Sequence, residues 1–181
     1  MSDVVIRTAS AADARSIAEV HVRSWQAAYR GIVPDESLDG LSVGERERVW
    51  RSLLDSLEER RSTLVAEADA RVVGFAAFGQ SRDPDEPLNV GELYAIYLAP
   101  EWFSSGTGRR LLAAAVDGLA RRFSEATLWV LAENTRATRF YEIAGWRADR
   151  TEKPVEGGAA AGLTEVRYRF QLPVGLAPEQ E

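Results

Sequence analysis

An anion can be bound where a serine- and glycine-rich turn opens directly into a helix. Ser104-Ser105-Gly106-Thr107-Gly108 is such a turn, followed by Leu111, Leu112, Ala115, Val116 and Leu119 at helical spacing. The first N–H groups of a helix have no intrahelical acceptor and carry the positive end of its dipole. A phosphate can therefore approach where side chains are small. Gly106 and Gly108 clear that approach, and Arg109 or Arg110 can add a charged contact. The turn lacks the lysine of a P-loop, and Leu111 stands where the dinucleotide fingerprint needs its third glycine. An ordinary N-capped turn would use the same residues, so the segment alone leaves both readings open.

Other reactive groups are scarce. The 181 residues include no cysteine, one histidine (His21) and one lysine (Lys153). A thiol nucleophile, a disulfide framework and a cysteine metal site are excluded, and a serine triad or histidine metal cluster would rest on His21 alone. No metal is expected. His21 shares an apolar stripe with Ile17, Ser24 and Ala28, which marks it as a packed core residue before a ligand or base. The net charge of −6 and the isolated arginine pairs argue against nucleic-acid partners. No signal-like start or membrane-length apolar run stands out, so a cytoplasmic protein that does not enter a membrane is expected.

These residues need elements to position them. Val4 to Ile6 predict a first strand; two helices follow, one begun by Ser10 and Asp13, the other by Ser42 and Glu45 and lined by Val43, Trp50, Leu53, Leu54 and Leu57. Thr63 to Ala68 and Val72 to Gly79 predict a hairpin about Asp69-Ala70-Arg71, and a polar loop, Gln80 to Asn89, leads to an apolar strand, Glu92 to Leu98. After the glycine turn and its helix come a strand, Ala126 to Leu131, a helix capped by Asn134, and two strands begun by Trp146. A flexible loop, Glu156 to Gly162, separates that pair, and Val166, Tyr168 and Phe170 alternate with polar residues as in a half-buried strand. The order describes a mixed α/β domain over residues 1–172 with parallel crossovers in its middle, and a loose tail over 173–181.

Two segments together resemble a known family. Pro100-Glu101-Trp102-Phe103-Ser104-Ser105-Gly106-Thr107-Gly108-Arg109 resembles the acyl-CoA pyrophosphate loop of the GNAT acetyltransferases, with Phe103 in place of that family's Gln or Arg and Ser104 where many members have glycine. Leu128 to Asn134, then Arg139-Phe140-Tyr141-Glu142 and Ala144-Gly145-Trp146, resembles its second motif, and Glu92 to Leu98 its central strand.

The resemblance implies a mixed, mostly antiparallel sheet of six to seven strands flanked by about four helices. Its central parallel pair would splay around acetyl-CoA, the cosubstrate. Ile96, Tyr97 and Leu98 would pair with the pantetheine, and Ser104, Ser105, Gly106, Thr107, Gly108, Arg109, Asn134 and Tyr141 would complete the cofactor site. Tyr141 matches the tyrosine that protonates the departing thiolate, a backbone N–H near Leu98 would stabilise the oxyanion, and Glu92 would act as base. Core packing of Tyr141 and a strand-edge place for Glu92 are the bland alternatives.

The activity implied is direct transfer of acetyl to a primary amine of a small molecule or peptide, with a catalytically weak acyl-CoA sensor as the rival, motivated by Phe103 and Ser104. Trp25, Tyr29 and Tyr94, with Trp102, would shape an aromatic acceptor pocket. Asp83, Asp85, Glu86 and Glu92 would favour a cationic acceptor if they face the cleft. Family members are often dimers, and pairing through Val166 to Phe170 across a two-fold axis is the route expected for a homodimer.

Overall fold

A computed structural model of the chain describes residues 3–56 and 61–173. Leu57 and residues 174–181 of the expected tail lie outside the described residues. The elements are β1 (Val4–Thr8), α1 (Ala14–Ala28), α2 (Asp35–Asp39), α3 (Val43–Asp55), β2 (Arg61–Ala68), β3 (Arg71–Gln80) and β4 (Val90–Leu98), then α4 (Thr107–Ala120), β5 (Glu125–Leu131), α5 (Thr135–Ile143), β6 (Arg147–Pro154) and β7 (Thr164–Gln171). Among the described residues five α-helices stand where about four were expected, because the connection after α1 closes into the short α2, whose Leu38 is fully buried.

The start of α1 is fixed by charge as well as by capping. The Asp13 carboxylate accepts the Ser10 N–H at 2.7 Å and is gripped by Arg7 of β1, which also reaches Glu67 of β2. These contacts tie the helix entry to the sheet edge and hold the Asp13 carboxyl well below the ordinary carboxylate range. The β2–β3 hairpin turns on Asp69 (φ 49°) and Ala70 (φ 59°), two residues in the left-handed region that a two-residue hairpin turn requires.

Among the described residues seven strands run in the order β1-β2-β3-β4-β5-β7-β6, and only β4 and β5 pair in parallel. Their pairing covers Val90 to Leu93 against Glu125 to Leu128 and stops there, although β4 continues to Leu98 and β5 to Leu131. Past that point β4 keeps only β3, and β5 keeps only β7, so the sheet opens into a wedge.

A bulge sets what β4 presents to each side. The β3–β4 register shifts between Ala77 and Phe78, so Ala77 faces Ala95 while Phe78 faces Leu93. Leu93, Ile96 and Leu98 therefore pack with α4, whereas Tyr94, Ala95 and Tyr97 pack on the α1 face.

The last strands differ from expectation in two ways. β7 lies inside the sheet with β5 on one side and β6 on the other, so it has no free edge for a two-fold partner. Its polar side is not solvated: Arg167 is 4% exposed beneath the loop that follows β3. The glycine-rich stretch 156–162 is also held down, because Ala160 is buried against Tyr29, Leu38 and Leu131.

Candidate active site

The wedge between β4 and β5 leads into a cavity of about 530 Å³. Of the residues singled out in the sequence, Ile96, Tyr97 and Leu98 line it from β4, and Ser104, Gly106, Gly108 and Arg109 from the α4 end. Asn134 and Tyr141 line it from the α5 side, Trp25 and Tyr29 from α1, and Glu92 and Tyr94 from the first half of β4. Ser105 and Thr107 do not. Trp102, expected among the acceptor aromatics, packs instead into the cores on both sides of the sheet.

At the α4 end, Ser105 and Thr107 shape the turn. Ser105 Oγ accepts the Thr107 N–H at 3.2 Å and lies 2.9 Å from the Thr107 hydroxyl. Among the described residues, Ser104, Gly106 and Gly108 keep N–H groups without an intramolecular acceptor, so free donors alternate with those that shape the turn. Gly106 stands at φ 87°, which suits a residue without a Cβ, and Ser104 holds the left-handed conformation (φ 62°) despite its side chain. Arg110 turns away to donate to the Val4 carbonyl at 2.7 Å, which leaves Arg109 at the cavity. Phe103 offers no charge, but the Arg136 guanidinium lies 4.0 Å over its ring and lines the same space.

In the middle of the cavity three phenols converge. The Tyr29 and Tyr97 hydroxyls are 3.4 Å apart, and Tyr141 is 8% exposed with its ring edge-on to Phe140 and Trp146. Burial, reinforced by Tyr97, raises the Tyr141 hydroxyl far above its ordinary value, so it stays a neutral proton donor. Asn134 caps α5 through the Ala137 N–H at 3.1 Å and still faces the cavity, so its structural and binding positions coincide. His21 lies behind this layer: its ring stacks on Tyr97 at 5.1 Å, and Nδ1 accepts the Trp50 indole N–H at 3.2 Å. It belongs to the packing of the wall, as the stripe implied.

Around Glu92 and Tyr94, the acidic run does not offer free charge. Asp83 accepts from the Trp129 indole at 2.8 Å and pairs with Lys153 and Arg167; Asp85 and Glu86 also pair with Arg167, and Glu86 with Arg169. Glu92 is 2% exposed, and both its oxygens accept from Arg82, one of them also taking the Arg82 backbone N–H at 2.9 Å. The same guanidinium lies 4.4 Å over the Tyr94 ring, while the Tyr94 hydroxyl donates to the Gln80 carbonyl at 2.6 Å. The loop carboxylates thus neutralise the arginines of β7. Sequence reasoning missed Arg82, Trp129, Arg136, Lys153 and Glu165, all of which line the cavity. The polar positions of the last strand were a visible signal for Glu165, but alternation alone assigned them to water.

An open parallel pair over a helix N-terminus, with a buried neutral phenol on its wall, defines an acyl-transferring enzyme of the acyl-CoA class. Residues 19–146 match the acetyltransferase (GNAT) family, and the chain belongs to it. An uncharacterized N-acetyltransferase of Bacillus subtilis, YuaI, is 38% identical over 133 residues, 72% of this chain and 73% of its own. The spermidine N(1)-acetyltransferase of Thermoplasma acidophilum is 27% identical across 82% of this chain and 91% of its own. The crystal structure of the PaiA N-acetyltransferase of Thermoplasma acidophilum, in complex with coenzyme A, shares the fold with a TM-score of 0.74 at 24% identity, covering 93% of this chain and 99% of its own. The protein is an acetyl-CoA-dependent acyltransferase. Among the described residues no helix is long and apolar enough to cross a membrane, and no group of metal-ligating side chains assembles.

Proposed function

We propose that residues 1–172 act as one N-acetyltransferase domain that moves acetyl directly from acetyl-CoA to a primary amine of a small molecule or peptide, both bound at once. The observation that carries this is the single cavity joining the α4 N-terminus, the open edge of β4 and Tyr141 to an aromatic end formed by Trp25 and Tyr29. The free N–H groups of Ser104, Gly106 and Gly108, with Arg109 and Arg136, suit a pyrophosphate. The open β4 edge from Ile96 to Leu98 suits the pantetheine amides, as an added strand does. Acetyl-CoA supplies the activated acyl group.

The chain's own groups then divide the work. A backbone N–H at Leu98 would face the oxygen that gains charge, an interaction typically worth about 3 kcal/mol in a fixed dipole. Tyr141 would donate its proton to the leaving sulfur. Its raised pKa fits that role, since a phenol that resists ionisation is always loaded with the proton. The amine must lose a proton to attack, because an alkylammonium near pKa 10 is mostly charged at neutral pH. Trp25, Tyr29 and Tyr94 would form the acceptor's walls. The names of relatives, a spermidine acetyltransferase among them, support a small amine.

The sensor reading rests on Phe103 and Ser104; the Arg136 cation stacked on the Phe103 ring and the free Ser104 N–H weaken it. A thiol-release assay over an amine panel, run with calorimetric CoA binding, tests the proposal. Turnover with at least one primary amine is expected, and binding without turnover would favour the sensor. Tyr141→Phe should lower kcat by about 100-fold, in the range for a lost general acid, with the CoA Kd unchanged. A variant as fast as wild type removes the acid role.

A further inference from the structure

Two carboxylates line the cavity, and the structure treats them differently. Glu92 has both oxygens on Arg82. Glu165 lies on β7, in register with Leu131 of β5 on one side and Lys153 of β6 on the other. Leu131 is the last residue of β5, at the open mouth of the wedge, and both it and Glu165 line the cavity. Among the described residues, no side-chain hydrogen bond or ion pair reaches it. The contrast with Arg167 and Arg169, on the same face of the same strand, is complete: both are saturated by the loop carboxylates.

A partly buried carboxylate without a partner is a poor structural device and a good receptor. We infer that Glu165 is the carboxylate that receives the acceptor's ammonium and takes up the proton it must lose before it attacks. The inference rests on the acyl-transfer reading and supplies the base that reading lacks. The balance is simple. The ammonium gives one proton to Glu165, the neutral nitrogen bonds to the acyl carbon, the carbon–sulfur bond breaks as Tyr141 gives its proton to the sulfur, and the second proton lost from nitrogen restores Tyr141. It also commits the site to a cationic acceptor.

The surroundings support the role. The groups whose charge is felt at Glu165 are Lys153 of β6, Arg82 and Asp83 of the loop, and Glu92 of β4, and its own charge is felt at Tyr97. The two cations are already engaged, Lys153 with Asp83 and over the Trp129 ring, Arg82 with Glu92 and over Tyr94. Glu165 lines the same cavity as the Tyr29, Tyr97 and Tyr141 phenols. Burial raises its carboxyl above the ordinary carboxylate value, which makes it a better proton acceptor at neutral pH. Glu92 then serves as a positioning residue, holding Arg82 across Tyr94 and taking up its hydrogen bonds.

The test compares Glu165→Gln with wild type on an active alkylamine and on a weakly basic amine that is uncharged at pH 7. With the alkylamine, kcat/KM should fall about 100-fold, as for a lost general base. The acidic limb of its pH profile that belongs to Glu165 should vanish. With the uncharged amine the loss should be under about 10-fold, since neither a cation nor its proton needs a receiver. Glu165→Asp should fall between wild type and Gln. CoA affinity, measured by calorimetry, should match wild type in both variants and certifies the fold. Equal losses on both amines, or a Gln variant within threefold of wild type with the limb intact, overturns the assignment while acyl transfer stands. A wild type that binds CoA and acetylates no amine overturns acyl transfer, and this assignment falls with it.

Discussion

Trp50 donates its indole N–H to Nδ1 of His21, which leaves the proton of the neutral imidazole on Nε2. With its ring packed among Trp25, Trp50, Phe75 and Tyr97, His21 has its pKa lowered to about 3, chiefly by burial, with Arg46 adding repulsion. The sign follows from the order of the two values. The unfolded histidine titrates near about 6.5, above the folded value, so between them the unfolded chain binds more protons. Stability from this residue is complete above pH 6.5 and declines toward pH 3, by at most about 1.4 kcal/mol per pH unit. The single imidazole makes the check direct: its NMR shift should stay flat from pH 8 to pH 5, while the urea midpoint falls over the acid part of that range. His21→Gln, whose amide oxygen can still accept the Trp50 N–H, should flatten the fall. An imidazole inflection near pH 6.5 in the folded protein would show that the ring is not buried as described. His21 was legible as core because Ile17, Ala18 and Trp25 stand three or four residues from it. Glu165 was not, because a polar residue on an alternating strand is the same letter whether water or a cavity faces it.

At the scale of elements, β4 does the most to build the site, and its neighbour β3 lets it. Gly74 pairs with Leu98, and a Cβ there would stand 2.3 Å from the Leu98 side chain and 3.0 Å from the Tyr97 carbonyl. Gly74→Ala must therefore push the end of β4 away from β3, toward the space assigned to pantetheine. Overpacking of this kind costs roughly 1–3 kcal/mol. The expected result is a lower urea midpoint together with weaker CoA binding. A loss of stability with CoA affinity intact would mean that the end of β4 does not shape the cofactor site. The existence of β4 was plain from its apolar run and from Pro100, which ends it. Which side each residue faces was not: strict alternation groups Tyr94 with Ile96, whereas the bulge groups it with Tyr97. A bulge depends on the partner strand, and the sequence of one strand does not announce it. The same holds for the loop after β3, whose acids looked available to a ligand until the arginines of β7, far along the chain, were found beneath them.

In the whole molecule, the wedge divides the sheet into β1 to β4 on one side and β5, β7 and β6 on the other. Four register pairs between β4 and β5 join them, together with the core in which Leu93 and Leu111 meet Leu128 and Tyr141. A cofactor laid in the wedge would touch both sides: the β4 edge and α4 on one, Asn134 and Tyr141 beyond β5 on the other. Binding to the folded state alone at a hundredfold excess over Kd adds about 2.7 kcal/mol. For a chain of this length that corresponds to a Tm increase of about 5–10 °C. Any tight ligand would give that shift, so its location is the informative part. Hydrogen exchange should slow on both sides of the wedge at the same CoA concentration, at Ile96 to Leu98 and Ser104 to Gly108, and again at Asn134 to Tyr141. The far strands β1 and β6 should gain only what global stabilisation confers. Protection confined to the α4 end would mean that CoA is held by its phosphates alone, and the acyl group would then lie away from Tyr141 and Glu165.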